Sequence, residues 1–269
     1  MRAPSQSFAS RLIFHGFGAA ALLLLASAPA ASAAAIIIDD FEVNEGRFTA
    51  AANGSGTTAG IVFANSVMDR TTDPADVLQG IGAQRLFIDD DTAVDSPDFP
   101  TGSAAWRLRH LSGGGTPANN LTLDVTLDGY IGYYLKTLTP SLQASIYLDD
   151  GLGPNANGTG GATERGRFID IISDGEWHLY QWQFMNPSDW EPFAATVPAV
   201  ANGQIDSTTV TIDGLLIRAL KTGEDQDATV FIDNVMYDPE GPISVIPEPS
   251  SAALLLIGAL SLSHLRRRR

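Results

Sequence analysis

The chain has 269 residues, no cysteine, 16 Lys+Arg against 31 Asp+Glu, and 44% hydrophobic residues, a composition neither collagenous nor disordered. Between Ala34 and Ile246 there are 10 basic and 30 acidic residues, a net charge of −20 over 213 residues; such a surface repels polyphosphate and argues against nucleic-acid binding, while it suits hard cations such as calcium or solubility in a salty exterior. The lack of cysteine excludes a disulfide framework, a thiolate metal site and a cysteine nucleophile.

Residues 1–33 open with Arg2 and Arg11, continue with an apolar run from Gly18 to Leu25 and reach the small residues Ala31-Ser32-Ala33. That order is expected of a secretory signal peptide cleaved after Ala33, with Ala35 as an alternative site. The other reading is a membrane anchor, but the run is too short to cross roughly 30 Å of hydrocarbon as a helix.

From residue 34 to 243, short runs of apolar/polar alternation are separated by clusters of Gly, Pro, Asn and Asp, and no stretch sustains a helical period. Strands are predicted at 36–42, 60–67, 83–88, 104–111, 121–127, 130–136, 143–149, 166–172, 177–184, 208–220 and 229–237. Strands at this density without a strong linker predict one all-β domain, a single jelly-roll or β-sandwich. Residues 151–165 and 185–207 read as long loops. Acidic clusters at Asp89-Asp90-Asp91 with Asp95 and Asp98, and at Glu224-Asp225 with Asp227, are either solvated loops or cation sites.

Residues 244–269 hold Pro247-Glu248-Pro249, an uncharged stretch to Leu265 and then Arg266, Arg267, Arg268 and Arg269. The arginines halt translocation on the cytoplasmic side, and Pro-Glu-Pro stays extended outside the apolar segment. In that order, at the end of the chain, these residues resemble the PEP-CTERM sorting signal. The resemblance implies a short C-terminal hydrophobic helix acting as a transient membrane anchor, recognition by an exosortase-type processing enzyme, and export to the surface of a Gram-negative bacterium that makes an exopolysaccharide. A plain one-helix tail anchor is the alternative. Neither says what the passenger does.

Three patches of the passenger resemble secreted carbohydrate-binding-module-like jelly rolls of the galactose-binding-domain type: Asp40-Phe41-Glu42 with Gly46 and Phe48, Asp174-Gly175-Glu176-Trp177-His178, and Phe231-Ile232-Asp233-Asn234-Val235. The resemblance implies a structural calcium between first and last strands, with Asp40, Glu42 and Asp233 as candidate ligands. Strand parity adds that Asp233 shares a face with Phe231, Val235 and Tyr237, where a carboxylate without a partner is costly; hydrogen bonds or an arginine would serve as well as an ion.

Parity also defines a candidate ligand face. Successive side chains point to opposite sides of a strand, so Arg107 and Arg109 oppose Trp106 and Leu108. Tyr134 opposes Tyr133, Tyr147 opposes Ile146, and Trp177, Gln181 and Gln183 oppose Tyr180 and Trp182, which are expected in the core. If the four strands share a sheet, its non-core face combines Tyr134, Tyr147 and Trp177 with Arg107, Arg109, Gln181 and Gln183. Aromatic faces stack on the C–H side of a pyranose while amides and guanidiniums bond its hydroxyls, which suits an extracellular polysaccharide; the alternative is an ordinary sheet face under loops. Catalysis finds little support: the only histidines after residue 33 apart from the tail are His110 and His178, in no triad or zinc context, and no spacing selects a carboxylate pair. A non-catalytic binding protein is expected, with a ligand-free matrix protein second and a glycan-active enzyme third.

Overall fold

The computed structural model describes residues 35–48, 55–94, 96–97, 103–115, 121–150, 162–193, 201–221 and 225–244. The expected signal peptide at 1–33, Pro247-Glu248-Pro249 and Arg266 to Arg269 lie outside these residues, as do Asp95, Asp98 and Glu224. Among the described residues no helix is long and apolar enough to cross a membrane.

Fourteen described strands are all paired antiparallel: β1 (Ile36–Asp39), β2 (Val67–Thr71), β3 (Ala83–Ile88), β4 (Ser96–Pro97), β5 (Ser103–Leu111), β6 (Thr122–Asp124), β7 (Tyr130–Thr137), β8 (Leu142–Asp150), β9 (Ala162–Gly166), β10 (Ile169–Asp170), β11 (His178–Gln183), β12 (Trp190–Pro192), β13 (Thr209–Leu220) and β14 (Ala228–Asp238). They form two sheets. The first runs β11-β7-β14-β3-β2 with β1 beside β14; the second runs β12-β9-β8-β13-β5-β4 with β10 beside β8 and β6 beside β13. The chain crosses repeatedly from one sheet to the other, so neighbours in a sheet are seldom neighbours in sequence, and the result is an all-β sandwich of jelly-roll type.

The inward residues of both sheets make one core. Trp106, Tyr133, Trp182, Phe184 and Trp190 are buried there, as the parity of 130–136 and 177–184 predicts. Each large polar aromatic keeps a partner: Trp106 Nε1 donates to the Gln226 carbonyl at 2.8 Å, Trp182 Nε1 to that of Arg167 at 2.8 Å, Trp190 Nε1 to that of Gln183 at 2.8 Å, and the Tyr133 hydroxyl to Ser145 on the facing sheet at 2.9 Å. Burying rings of this size with their N–H and O–H groups satisfied is what stabilises a sandwich of this kind. Gly166 makes the closest approach. A Cβ there would lie 2.8 to 3.0 Å from the Trp182 indole, so glycine is what lets β9 pass over that ring.

The strands at 83–88, 104–111, 130–136, 143–149, 177–184, 208–220 and 229–237 are found within one residue of their predicted limits. Five expectations need correction. The strand predicted at 121–127 shortens to Thr122–Asp124. Residues 60–67 are turns with isolated bridges at Ala59 and Ile61, and the strand starts at Val67. Residues 36–42 shorten because the Asp39 carboxylate accepts the Phe41 and Arg47 amides and turns the chain, taking Phe41 and Phe48 into the core with ring centroids 6.2 Å apart. The segment at 166–172 reduces to Ile169–Asp170. The loops predicted at 151–165 and 185–207 each contain a strand, β9 and β12, which pair with each other.

Candidate functional site

The seven residues of the expected ligand face do not share a sheet. Tyr134, Trp177, Gln181 and Gln183 belong to the outer side of the first sheet, and Arg107, Arg109 and Tyr147 to that of the second. Parity fixes which side of its own strand a residue occupies, but it carries no information about which strands are neighbours.

On the first sheet the aromatic residues are covered. Tyr134 is buried with Met236 and Ile243, and Trp177, Leu179, Tyr130 and Leu78 pack around them. The cover is the chain leaving β14. Thr126 Oγ1 donates to the Pro239 carbonyl at 2.6 Å, the Glu240 amide to Asp238 at 2.9 Å, and the Ile243 amide to Gln181 Oε1 at 2.8 Å. Gln181 therefore already has a partner, and Gln183 Nε2 donates to the Leu127 carbonyl at 3.3 Å.

The proposed calcium ligands lie at this side too. Asp233 Oδ2 accepts the Leu78 and Gln79 amides at 3.0 and 3.3 Å, and its Oδ1 the Asn234 amide at 2.7 Å; Glu42 accepts the Ile81 amide at 3.1 and 2.9 Å. Burial, with the nearby Glu42 charge adding to it, pushes the Asp233 carboxyl up to about 7 against these amides. Asp40 is exposed and accepts the Glu42 amide at 3.2 Å. Three amides thus bond the Asp233 carboxylate and one that of Glu42, and among the described residues no three His, Asp or Glu side chains are grouped to hold a metal. The face drawn for Asp233 is also corrected: the register of β14 shifts between Asp233 and Met236, with Asn234 at φ 46°. That bulge leaves Phe231 and Asp233 on the outer side of the sheet, where Asp233 is covered, and turns Val235 and Tyr237 into the core.

The second sheet carries a different surface. Strand register aligns Arg107, Arg218, Gln143 and Asp170 in one row across β5, β13, β8 and β10, and Gly214, Tyr147, Arg165 and Glu191 in another across β13, β8, β9 and β12. Between them lie Arg109, Leu216 and Ser145. Two like charges directly opposite, Arg107 and Arg218, are disfavoured in a sheet, and such conflicts tend to mark functional positions.

The floor of this face is buried and tightly tied. Tyr147 is fully buried, edge-on to Phe193 with centroids 4.7 Å apart, and the Arg109 guanidinium lies 4.7 Å above its ring. Arg109 pairs with Asp213 in the β13 bulge, and both are largely buried. Burial pushes the Tyr147 phenol up although Arg165, Arg109 and Arg107 pull it down. Burial also raises Asp149 against its bond from Thr163 and the Arg109 charge, and lowers Arg109.

The rim is half-exposed at Gln143, Phe168, Glu191 and Arg218, exposed at Asp170 and buried at Arg165. Arg218 Nε donates to Gln143 Oε1 at 2.8 Å, and Gln143 Nε2 donates to Asp170 at 2.6 Å. The Arg218 guanidinium lies 3.5 Å from the Phe168 centroid and that of Arg165 4.8 Å, while Arg165 pairs with Glu191 at 2.7 Å. The rim thus offers planar amide, guanidinium and carboxylate groups fixed beside an aromatic ring. Arg165, Phe168, Asp170, Glu191 and Arg218 are absent from the expected face: β9 and β12 fall in segments that read as loops, and for the segments 166–172 and 208–220 the sequence does not give the sheet neighbours. Arg218 alone left a signal, as the single basic residue in the apolar run Thr209–Leu220.

Elsewhere, the acidic clusters meet: the Asp90 amide donates to Asp227 at 2.8 Å and the Gln226 amide to Asp90 at 3.0 Å. His110 is buried against Phe48, and His178 pairs with Asp174 at 2.9 Å.

No family model matches the chain, and no curated protein is similar to it. Among solved structures it is similar to a family 30 carbohydrate-binding module (13% identity, 79% of this chain and 91% of that one, TM-score 0.40). It is similar also to the family 11 carbohydrate-binding module from Clostridium thermocellum in complex with a β-1,3-1,4-mixed-linked tetrasaccharide (14%, 78% and 98%, 0.38). A third similarity is to a putative sugar binding protein from Bacteroides thetaiotaomicron (12%, 76% and 99%, 0.34).

Proposed function

We propose that the protein is an exported, non-catalytic β-sandwich that binds extracellular polysaccharide on the outer face of its second sheet. The observation that carries this reading is the rim of that face, where Arg218, Gln143 and Asp170 form a hydrogen-bonded chain beside Phe168. Sugar recognition needs planar donors and acceptors held rigid, which the contact of Arg218 with Phe168 provides, so that ordering them costs little when the ligand arrives. Tyr147 belongs to the floor in this reading, because its ring is already covered by Arg109 and Phe193. Export and processing follow from the two ends of the sequence. The signal peptide 1–33 is removed, and the 244–269 tail holds the chain at the membrane of a Gram-negative cell until an exosortase-type enzyme acts at Pro247 to Pro249.

The test is a pull-down of the purified chain on insoluble polysaccharides beside an Arg218→Ala/Phe168→Ala variant with a wild-type melting curve. Saturable binding that the variant loses supports this reading. The burial of Tyr134 and Tyr147 favours a second one, a matrix protein without a specific ligand; binding to no glycan would favour it. For processing, an epitope placed after Arg269 is expected to be missing from the exported protein, and its persistence there would refute cleavage.

A further inference from the structure

Resting on that reading, we infer that the ligand is an uncharged, hydroxyl-rich glycan and that the face rejects polyuronates and sulfated polymers. The two rows and the residues between them hold four guanidiniums, Arg107, Arg109, Arg165 and Arg218, which alone would read as an anion site. The same surface holds four carboxylates, Asp149, Asp170, Glu191 and Asp213.

Three of the four guanidiniums are also matched locally. Arg109 pairs with Asp213, Arg165 with Glu191, and Arg218 reaches Asp170 through Gln143. What the rim presents to the ligand, Arg218, Gln143, Asp170 and Glu191, is therefore an alternation of donors and acceptors. A sugar hydroxyl is both, and can donate to Asp170 or Glu191 while accepting from Arg218 or Gln143. A sugar carboxylate or sulfate only accepts. At the rim it would meet Asp170, the exposed end of its row, and half-exposed Glu191, and like charges brought together in an interface cost several kcal/mol. The rest of the molecule opposes it too, because the chain carries a formal charge of −15. Phe168 contributes less stacking than its position suggests, since Arg218 and Arg165 lie against it. Hydrogen bonds to hydroxyls then decide the selectivity.

The test uses polymers matched in backbone: dextran against dextran sulfate, and polygalacturonate against its carboxyl-reduced galactan, beside mixed-linked β-glucan and xylan. Retardation of the whole chain in affinity gels should favour the uncharged member of a bound pair by about tenfold or more, corresponding to roughly 1.4 kcal/mol, and should change little between low and high salt. Asp170→Asn/Glu191→Gln, checked for an unchanged melting curve, is expected to narrow that preference at least severalfold. Tighter binding of the charged member by the wild-type chain would overturn the inference while leaving glycan binding intact. Retardation by no polymer would instead remove the binding reading, and this inference with it.

Discussion

Arg218 lies over Phe168, with its guanidinium carbon 3.5 Å from the ring centroid, while the strand register puts it directly opposite Arg107. The stack and the bond to Gln143 hold in place a side chain that a neighbouring like charge would otherwise push away. Lysine at 218 keeps the charge but loses the planar fork and the stack. Arg218→Lys is expected to keep its stability within about 1 kcal/mol of wild type, because the site is half-exposed, yet to lose glycan affinity by about tenfold or more, as the loss of one charge-assisted hydrogen bond predicts. Titration calorimetry with an oligosaccharide found to bind would check both halves of this expectation.

Arg109 and Asp213 form a buried pair. Removing one partner strands the other charge, which typically costs about 3–5 kcal/mol, whereas replacing both is far milder. Arg109→Met should therefore destabilise strongly, and Arg109→Met/Asp213→Asn should recover much of the loss. Urea denaturation of the full double-mutant cycle measures this; additive effects would mean that the two side chains do not depend on each other.

Glu164, on β9, is fully buried and accepts the Asn202 and Gly203 amides at 2.8 and 2.9 Å. Burial, with Asp150 and Asp206 adding repulsion, raises its carboxyl from 4.5 to about 7. The native state therefore holds a proton between those values that the unfolded chain releases, so stability rises as the pH falls from about 8 towards 5. At about 1.4 kcal/mol per unit the gain attributable to Glu164 is at most roughly 3 kcal/mol. Asp233 adds to it in the same direction. Glu164→Gln should flatten the profile in part, as read from urea midpoints at pH 5 and pH 8, and an unchanged slope would contradict this assignment.

The strand interiors were legible because their chemistry is local. Trp182 and Tyr133 lie inward, and Arg107 and Tyr147 outward, as alternation requires. Neighbour relations were not legible. Nothing in 130–136 or 143–149 says that β7 pairs with β14 while β8 pairs with β13, and the expected face dissolved for that reason. Strand β9 reads Ala-Thr-Glu-Arg-Gly, which has no apolar alternation. It is a strand because β8 and β12 supply partners on both edges, and with it Arg165 went unseen. Asp233 illustrates a third limit, since a bulge one residue later breaks the parity on which its surroundings were judged.

Gly166 supports the core from that same unreadable strand. Ala at 166 would place its Cβ against the Trp182 ring, whose indole N–H is fixed on the Arg167 carbonyl. Gly166→Ala is expected to cost about 1–3 kcal/mol, the usual penalty for overpacking. A melting temperature equal to wild type would show that the indole can yield without loss.

Calcium is expected to leave stability unchanged. A ligand that binds only the native state must raise it, and here the Leu78, Gln79, Ile81 and Asn234 amides already hold the Asp233 and Glu42 carboxylates. Melting curves in millimolar calcium and in chelator should superimpose; a rise in calcium would mean that the 78–81 segment gives way to the ion.

The docking of Ile243 on Tyr134 and Met236 gives the molecule a back and a front. The chain departs across the sheet opposite the one that bears Arg218, and the two sheets of a sandwich are separated by about 10 Å of packed side chains. At Ser244 the described chain therefore lies on the back of the sandwich, on the sheet opposite the arginine-lined front.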